Sequence, residues 1–343
     1  MRICVLTTSY PRSGDDVAGR FVAEAVEHLR AAGHEVDVVS PASFRHFGIA
    51  YGGGIVQNLR ARPWRALLLP AFVVSFAAAA RRTARHADVV HAHWIPSGLA
   101  ALATGKPFVL QVWGSDVELA RRVPWLARPL LRRARIVIGA STFLAEQARA
   151  LGAREVRVVP NGVEIPEHVG EPAEPPHVLF VGRLSEEKGI LEFLEATEGL
   201  PRVIVGDGPL RARVPEALGF VSHDELGAYY ERASVVCVPS WREGYGVVAR
   251  EAMAYGRPVV ATAVGGLVDA VDDGVAGVLV PPGETALLRA AVADLLGQVN
   301  LRRRLGAQAS RIARAQLHAD EVVRMLLTVY GDAAGPGASP SGP

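Results

Sequence analysis

The sequence predicts an α/β protein built as two doubly wound parallel-sheet domains. Short apolar, β-branched runs alternate along the chain with longer segments of helical periodicity, the pattern of sheets covered by helices. From Ser234 to Thr262 a strand, a glycine-rich loop, a helix and a strand follow one another, which is a βαβ unit of an open parallel sheet. The chain has 343 residues, half of them hydrophobic, enough for two cores. A stretch rich in proline and glutamate, 166–176, separates two similar halves.

Composition narrows the function. A net charge of +2 argues against a dedicated nucleic-acid binder. Cys4 and Cys237 fall in apparent buried strands of different halves, with no metal-ligand spacing, so reduced cytosolic thiols are expected. A strand begins at the N-terminus and leaves no room for a signal peptide. The longest apolar run, Ala66–Ala80, contains Pro70 and Ser75 and is shorter than the roughly 20 residues a spanning helix needs, so a buried or interfacial helix is expected.

In the first half, Arg2–Thr8 reads as a buried strand, Phe21–Ala32 as a helix ended by Gly33, and Glu35–Ser40 as the next strand. Arg60, Arg62, Arg65, Arg81, Arg82 and Arg85 surround the apolar run. A second basic cluster, Arg121, Arg122, Arg128, Arg132, Arg133 and Arg135, is interleaved with Trp125, Leu126, Leu130 and Leu131. These patterns suit an amphipathic surface on anionic lipid headgroups; ordinary solvated surface is the alternative. Asp88–Trp94 is a strand carrying His91 and His93 on one face. A His-x-His pair can bind metal, but no further ligand is identifiable, so zinc is not expected. Ile136–Ser141 is a strand leading into a helix capped by Ser141, and Val156–Val163 is a strand followed by an Asn-Gly turn.

The domains therefore run 1–165 and 177–318 around a linker at 166–176, followed by a helix at 319–330 and a low-complexity tail, 331–343, expected to be disordered. His177–Gly182 opens the second domain as a strand, and Gly182–Gly189 then places Arg183 and Lys188 around the start of a helix. Such cations can neutralise an anion; ion pairs with Glu186 and Glu187 are the structural alternative. Val203–Pro209 is a strand and turn, His223–Ala233 a helix, and Ser234–Pro239 a buried strand. Val247–Tyr255 is a helix stopped by Gly256 and Pro258, before the strand Arg257–Thr262. Thr285–Gln298 and Leu301–Gln316 are the later helices, with Asn300 as the N-cap of the second.

Two carboxylates mark the loop before Val247. Glu251 follows Glu243 by eight residues, placing it roughly two turns along the helix. The amides of Gly244, Tyr245, Gly246 and Val247 are the unpaired donors of a helix N-terminus and favour an anion. A ligand bearing both hydroxyls and phosphates, such as a nucleotide sugar, fits this combination; a loop glutamate and a solvated helix glutamate are the plain alternative.

The stretch Glu243–Thr262 resembles the Glu-x7-Glu region of retaining glycosyltransferases with the GT-B fold, glycosyltransferase family 4. The likeness continues through Gly265–Gly266, Gly274 and Pro282–Gly283. It recurs at Ser9–Pro11, Ala18–Phe21, Gly33–Val36, Phe108–Asp116 and Gly182–Gly189, so that it covers nearly the whole chain in order. The resemblance implies two Rossmann-like domains facing each other across a cleft, with the acceptor on the N-terminal side and the nucleotide sugar on the C-terminal side. The helix at 319–330 would cross back to the first domain.

By the same resemblance Arg183 and Lys188 hold the diphosphate, Glu251 the ribose hydroxyls and Glu243 the donor sugar. Gly206 lies near the nucleotide, and the backbone at Phe220 meets the base. Gly19 faces the diphosphate, although many members have two adjacent glycines and here Gly14 stands five residues away; a flexible surface loop is the alternative. His93 bonds sugar hydroxyls, with a structural, backbone-bonded histidine as the rival role, above all for His91. Trp113 replaces the histidine of most members; it can stack on a sugar ring but does not reproduce the histidine's contact. Asp116 either bonds a hydroxyl or orders its loop.

The implied activity is transfer of a sugar, with retention, from a nucleotide-diphosphate donor (a UDP- or GDP-sugar) to a glycan, glycolipid or lipid-linked acceptor. It needs no protein nucleophile and no cofactor. No Asp-x-Asp metal motif is present, so Arg183 and Lys188 stand in for a divalent ion. The arginine-rich N-terminal surface suggests a cytoplasmic protein resting on the inner face of the membrane. A small natural product is the alternative acceptor. A nucleotide-sugar epimerase and a non-catalytic lipid-binding scaffold are the alternative functions.

Overall fold

The computed structural model describes residues 1–12, 19–51 and 54–335. The chain forms two compact units: unit 1 comprises Met1–Gly162 with Ala319–Pro343, and unit 2 comprises Val163–His318. Each is built on a parallel sheet, the architecture the sequence predicts.

The sheet of unit 1 has six strands: β1 (Arg2–Leu6), β2 (Glu35–Val39), β3 (Val89–His93), β4 (Phe108–Val112), β5 (Ile136–Gly139) and β6 (Val156–Val158). They lie in the order β2-β1-β3-β4-β5-β6, all parallel. The chain steps from β1 outward to β2, then returns to the other side of β1 with β3. The loops after β1 and β3 therefore diverge at a topological switch point, where open α/β sheets bind ligands. β3 and β4 are buried along their whole length, and that burial takes in His91, His93 and Gln111 among their apolar residues.

One face of this sheet, including Ile3, Val5, Val89, Val109 and Ile138, packs in a core with Val22, Val26 and Leu29 of the helix Arg20–Ala31. Val322, Val323, Leu326, Val329 and Tyr330 of the helix Ala319–Ala334 complete that core. The final helix thus continues four residues into the stretch expected to be disordered, because Ala333 at its end is still buried. Residues 336–343 of the expected tail lie outside the described residues.

The apolar run of unit 1 is longer as a helix than as a sequence. Helical turns extend over Pro63–His86, 24 residues, long and apolar enough to cross a membrane by length and composition, with an 18-residue window of mean hydropathy 1.5. Pro63 and Pro70 both sit in first turns, where their missing amides cost nothing, so neither interrupts the run. Phe72, Phe76, Ala79 and Ala80 are buried, but only 22% of that window is, and Trp64, Leu67 and Val74 face outward.

Unit 2 has five parallel strands: β7 (Val178–Val181), β8 (Arg202–Val205), β9 (Val235–Val238), β10 (Val259–Thr262) and β11 (Gly277–Val280). Their order is β11-β10-β9-β7-β8, so this switch point lies between β7 and β9. Val178, Phe180, Val235, Cys237 and Val260 face one core layer, while Leu179, Val205, Val236, Val259 and Ala261 face the other. The alternation along each strand divides it between two apolar layers. Burial pushes the Cys4 thiol up to about 12 and raises that of Cys237, so both remain protonated packing groups.

Two local expectations need correction. Asn300 is not an N-cap: the helix runs Val299–Leu317, placing Asn300 inside its first turn, and Gln298 precedes it. Glu251 lies about one turn into its helix rather than two, because the helix is Val247–Ala254 and the chain from Glu243 to Gly246 is a loop. The proline-rich stretch 166–176 forms no helix or strand and is tied to unit 2. Arg257 Nη2 donates to the Gly170 carbonyl at 2.6 Å, and the Ala173 amide donates to the Arg232 carbonyl at 2.9 Å.

Candidate functional site

In unit 2 the loops after β7 and β9 meet over the switch point. The contact is made possible by Gly189, which has φ +70°; a Cβ there would lie 1.9 Å from the Pro239 carbonyl oxygen. No residue with a side chain fits, so the two backbones touch only because position 189 is glycine. The Trp241 amide then donates to the Glu187 carbonyl at 2.9 Å, and the Trp241 indole N–H to Glu192 Oε1 at 2.8 Å.

Within this frame Lys188 Nζ donates to Glu243 Oε2 at 2.7 Å. The pair is partly buried, with the side chains 34% and 16% exposed. Neither Glu186 nor Glu187 pairs with Lys188, so the cation is aimed across to the β9 loop. Arg183 follows β7 and is exposed; among the described residues its guanidinium has no hydrogen-bond or ion-pair partner. Gly244 and Gly246 follow Glu243, and Gly246 (φ +82°) is the N-cap of the helix Val247–Ala254. The start of that helix, where Val247 is half exposed, adds positive potential just after Glu243.

Glu251 faces elsewhere. Its Oε2 accepts a 2.6 Å hydrogen bond from the Tyr230 hydroxyl, and its Oε1 is 3.8 Å from His223 Nδ1. Burial, and then the Glu251 charge, raise the Tyr230 hydroxyl far above its usual range, so it remains a donor. Gly206 ends β8, and its amide donates to the Gly219 carbonyl at 2.9 Å; this brings the 219–221 turn, with Phe220 68% exposed, to the sheet's carboxyl edge.

Periodicity does not reveal Arg250, which is 5% exposed. Its guanidinium lies 3.9 Å from the centroid of the buried Tyr245 ring and donates to the carbonyls of Tyr245 and Gly266. The Gly266 amide in turn donates to the Glu243 carbonyl at 2.9 Å. Arg250 thereby fixes the loop that presents Glu243. The only sequence signal is an arginine among Ala249, Ala252, Met253 and Ala254, all buried.

In unit 1 the candidate residues gather at the carboxyl ends of β1, β3 and β4. Gly19 (φ +74°) caps the helix Arg20–Ala31, and a Cβ there would lie 2.3 Å from the Ser9 carbonyl oxygen, so glycine is required. Gly14 and Ala18 lie outside the described residues. Asp116 is buried, and its carboxylate accepts from three backbone amides, Trp113 at 2.7 Å, Val117 at 2.9 Å and Ile95 at 2.9 Å. Of its two expected roles, ordering the loop is the one these partners serve.

His93 is buried, its ring 4.1 Å from that of His91 and 5.9 Å from that of Trp113. His91 Nδ1 lies 2.8 Å from the Tyr330 hydroxyl, so its partner is the last helix rather than the backbone.

These buried rings make folding sensitive to pH. Burial lowers His91 to about 3 and His93 well below 6.5, so both are neutral when folded. Below pH 6.5 an unfolded chain binds protons that the folded rings refuse, and stability falls by about 1.4 kcal/mol per pH unit for each ring. Burial pushes Asp116 from 3.8 up to about 7 against its three N–H donors. There the folded state holds a proton that the unfolded carboxylate has lost, and about 1.4 kcal/mol per unit is regained as pH falls between those values. His93→Asn leaves one histidine against Asp116. Urea unfolding of that variant should therefore lose about 1.4 kcal/mol less per pH unit than the parent between pH 6.5 and 5. An unchanged pH slope would refute neutral burial of His93.

Among the described residues no group of three His, Cys, Asp or Glu side chains is placed to hold a metal ion. What unit 2 offers is a partly buried carboxylate paired with Lys188 just before a helix start, a set suited to a ligand with hydroxyl and anionic parts.

Sequence families described as Glycosyltransferase Family 4 and Glycosyl transferases group 1 match residues 18–166 and 175–298. A D-inositol 3-phosphate glycosyltransferase of Acidothermus cellulolyticus is 31% identical over 386 residues, covering 91% of this chain and 85% of that protein. A putative teichuronic acid biosynthesis glycosyltransferase, TuaC, of Bacillus subtilis is 28% identical, covering 78% of this chain and 82% of its own. The crystal structure of Anabaena Alr3699/HepE in complex with UDP-glucose is similar in fold, with a TM-score of 0.73 at 21% identity over 96% of this chain and 99% of that one.

Proposed function

The chain is a GT-B glycosyltransferase belonging to glycosyltransferase family 4, and from that premise we propose that it transfers a sugar from a nucleotide diphosphate, with retention, to a hydroxyl of a glycan or lipid-linked acceptor. The observation that carries this reading is the Lys188–Glu243 pair joining the loops after β7 and β9 at the switch point of unit 2. As the acceptor oxygen attacks the anomeric carbon, the bond to the diphosphate breaks and negative charge grows on the leaving oxygen. Arg183, Lys188 and the helix start meet that charge, the electrostatic contribution that commonly dominates such catalysis. Glu243 holds hydroxyls of the donor sugar so that attack comes from the face the diphosphate leaves, and the departing diphosphate takes the acceptor proton. Glu251, backed by Tyr230, accepts from the ribose hydroxyls.

A UDP-sugar is the first donor to try, since the fold neighbour from Anabaena is described with UDP-glucose. The relative TuaC, described by teichuronic acid biosynthesis, supports a polymeric or lipid-linked acceptor. So do the outward Trp64 and Leu67 among arginines, which suit an anionic membrane surface.

Thermal unfolding with UDP, GDP, ADP and TDP and their sugars, in EDTA and in magnesium, tests the reading. One nucleoside diphosphate should raise Tm in EDTA as well as in magnesium. Its sugar should then be transferred to oligosaccharides or to lipid-linked glycans in anionic vesicles. Stabilisation by none of them would defeat the proposal, and donor isomerisation without acceptor would mark an epimerase instead.

A further inference from the structure

We propose that Arg250 is a positioning residue for the leaving diphosphate: its buried guanidinium holds the Tyr245–Gly246 peptide so that the Gly246 amide is turned toward a phosphate oxygen. This rests on the glycosyltransferase reading above. It gives Arg250 a part in binding the diphosphate that is separate from its support of the loop bearing Glu243.

Arginine is a costly residue at this position. It is the fourth residue of the helix Val247–Ala254, near the positive end of the helix dipole, where a cation is disfavoured. It is also buried among Ala249, Ala252, Met253 and Ala254, and that burial holds its guanidinium below the usual arginine range. Asp269 and Glu243 are the carboxylates whose charge reaches it, yet its hydrogen bonds go to backbone carbonyls. Packing alone asks for an aliphatic side chain here, which would fill the space without desolvating a charge.

What the guanidinium touches gives the reason for it. Nη1 donates to the Tyr245 carbonyl and, at 3.4 Å, to the Gly266 carbonyl, while Cζ lies 3.9 Å from the centroid of the buried Tyr245 ring. One cation thus grips residue 245 by both its ring and its carbonyl. Gly246 (φ +82°) makes room for that grip, since a Cβ there would lie 2.9 Å from Leu267 Cδ2 and 3.4 Å from Arg250 Nη1. A trans peptide is planar, and its C=O and N–H point in opposite directions. With the Tyr245 carbonyl held on the buried guanidinium, the Gly246 N–H is turned away from it, at the helix start where the diphosphate is placed above. The second turn of the clamp is fixed as well: a Cβ on Gly266 would lie 2.4 Å from the Gly244 carbonyl oxygen, so the two turns are in direct contact. An aliphatic side chain would fill the volume and hold neither carbonyl.

Isothermal titration of the full chain with UDP, GDP, ADP and TDP, with the matching nucleosides and with inorganic pyrophosphate, tests this. Arg250→Met keeps length without charge, and Arg250→Lys keeps the charge without the fork that reaches two carbonyls. For the diphosphate that binds the parent, Arg250→Met should bind about tenfold more weakly and Arg250→Lys by less. Pyrophosphate should follow the same order, and the nucleoside should stay within about threefold of the parent. Thermal unfolding of the unliganded variants reports stability separately, and Arg250→Lys carries the test if Arg250→Met does not fold. In sugar transfer the loss should appear as a raised KM for the donor, with kcat affected less. Lower kcat at unchanged KM and unchanged diphosphate affinity would confine Arg250 to presenting Glu243 and overturn the inference. Equal weakening of nucleoside and diphosphate would overturn it too. Failure of the parent to bind any nucleotide or pyrophosphate would defeat the wider reading as well, whereas normal diphosphate binding by parent and both variants defeats this inference alone.

Discussion

Glu243→Gln should reduce sugar transfer by about 10²- to 10³-fold, the usual cost of deleting one preorganised polar contact at a reacting centre. The same substitution should leave nucleoside diphosphate binding intact or slightly tighter. Glutamine keeps the shape of the side chain, and the loop is fixed through the backbone, by the Gly266 amide on the Glu243 carbonyl and by Arg250 beneath. What changes is the partner of Lys188. With the 2.7 Å ion pair neutralised, the ammonium is released to the diphosphate, which gains a full counter-charge. Titration with UDP, or with whichever diphosphate stabilises the parent chain, measures this directly. Loss of that binding would mean that Glu243 holds the loop together rather than the sugar.

Replacing both cations should produce a different pattern. Arg183→Ala with Lys188→Ala is expected to weaken the diphosphate by about 10²-fold or more, since each charge-assisted contact is worth about 1.5–3 kcal/mol. The nucleoside should bind within about threefold of the parent, because the proposed partners of ribose and base are Glu251 and the 219–221 segment, and 1.4 kcal/mol is already a tenfold change. Lys188→Ala also strands the partly buried Glu243, so part of the effect belongs to that carboxylate. Adding Glu243→Gln to the double variant removes it, and the three sets of affinities separate charge from strain. Equal weakening of nucleoside and diphosphate would sink the assignment of these cations to the phosphates.

The sheets were legible because their strands are short apolar runs closed by glycine and proline; Val235–Val238 and Val259–Thr262 are plain examples. Strand order was not. Nothing in the local pattern of β7 says that β9 rather than β8 will lie toward the rest of the sheet, and the switch point depends on that choice. Periodicity also leaves Lys188 and Glu243 as ordinary loop charges, since their contact spans 55 positions. Resemblance to a family singles them out. Arg250 was illegible for another reason: burial of an arginine depends on carbonyls from two other turns, which no reading of its own helix supplies. The length of the Pro63–His86 helical run was underestimated because its prolines fall in first turns, where they start helices rather than stop them.

The return of the chain to unit 1 sets an order of assembly during synthesis. Unit 2 is one continuous stretch, Val163–His318, and has all its strands as soon as that stretch has left the ribosome. Unit 1 has all six strands much earlier, with the helix Arg20–Ala31 on one sheet face, but must wait for Ala319–Ala334 before the core around Ile3, Val5, Val89 and Val109 is complete. Until then the part of that face made for the last helix stands open, a surface prone to sticking to other chains. The half made first is therefore finished last.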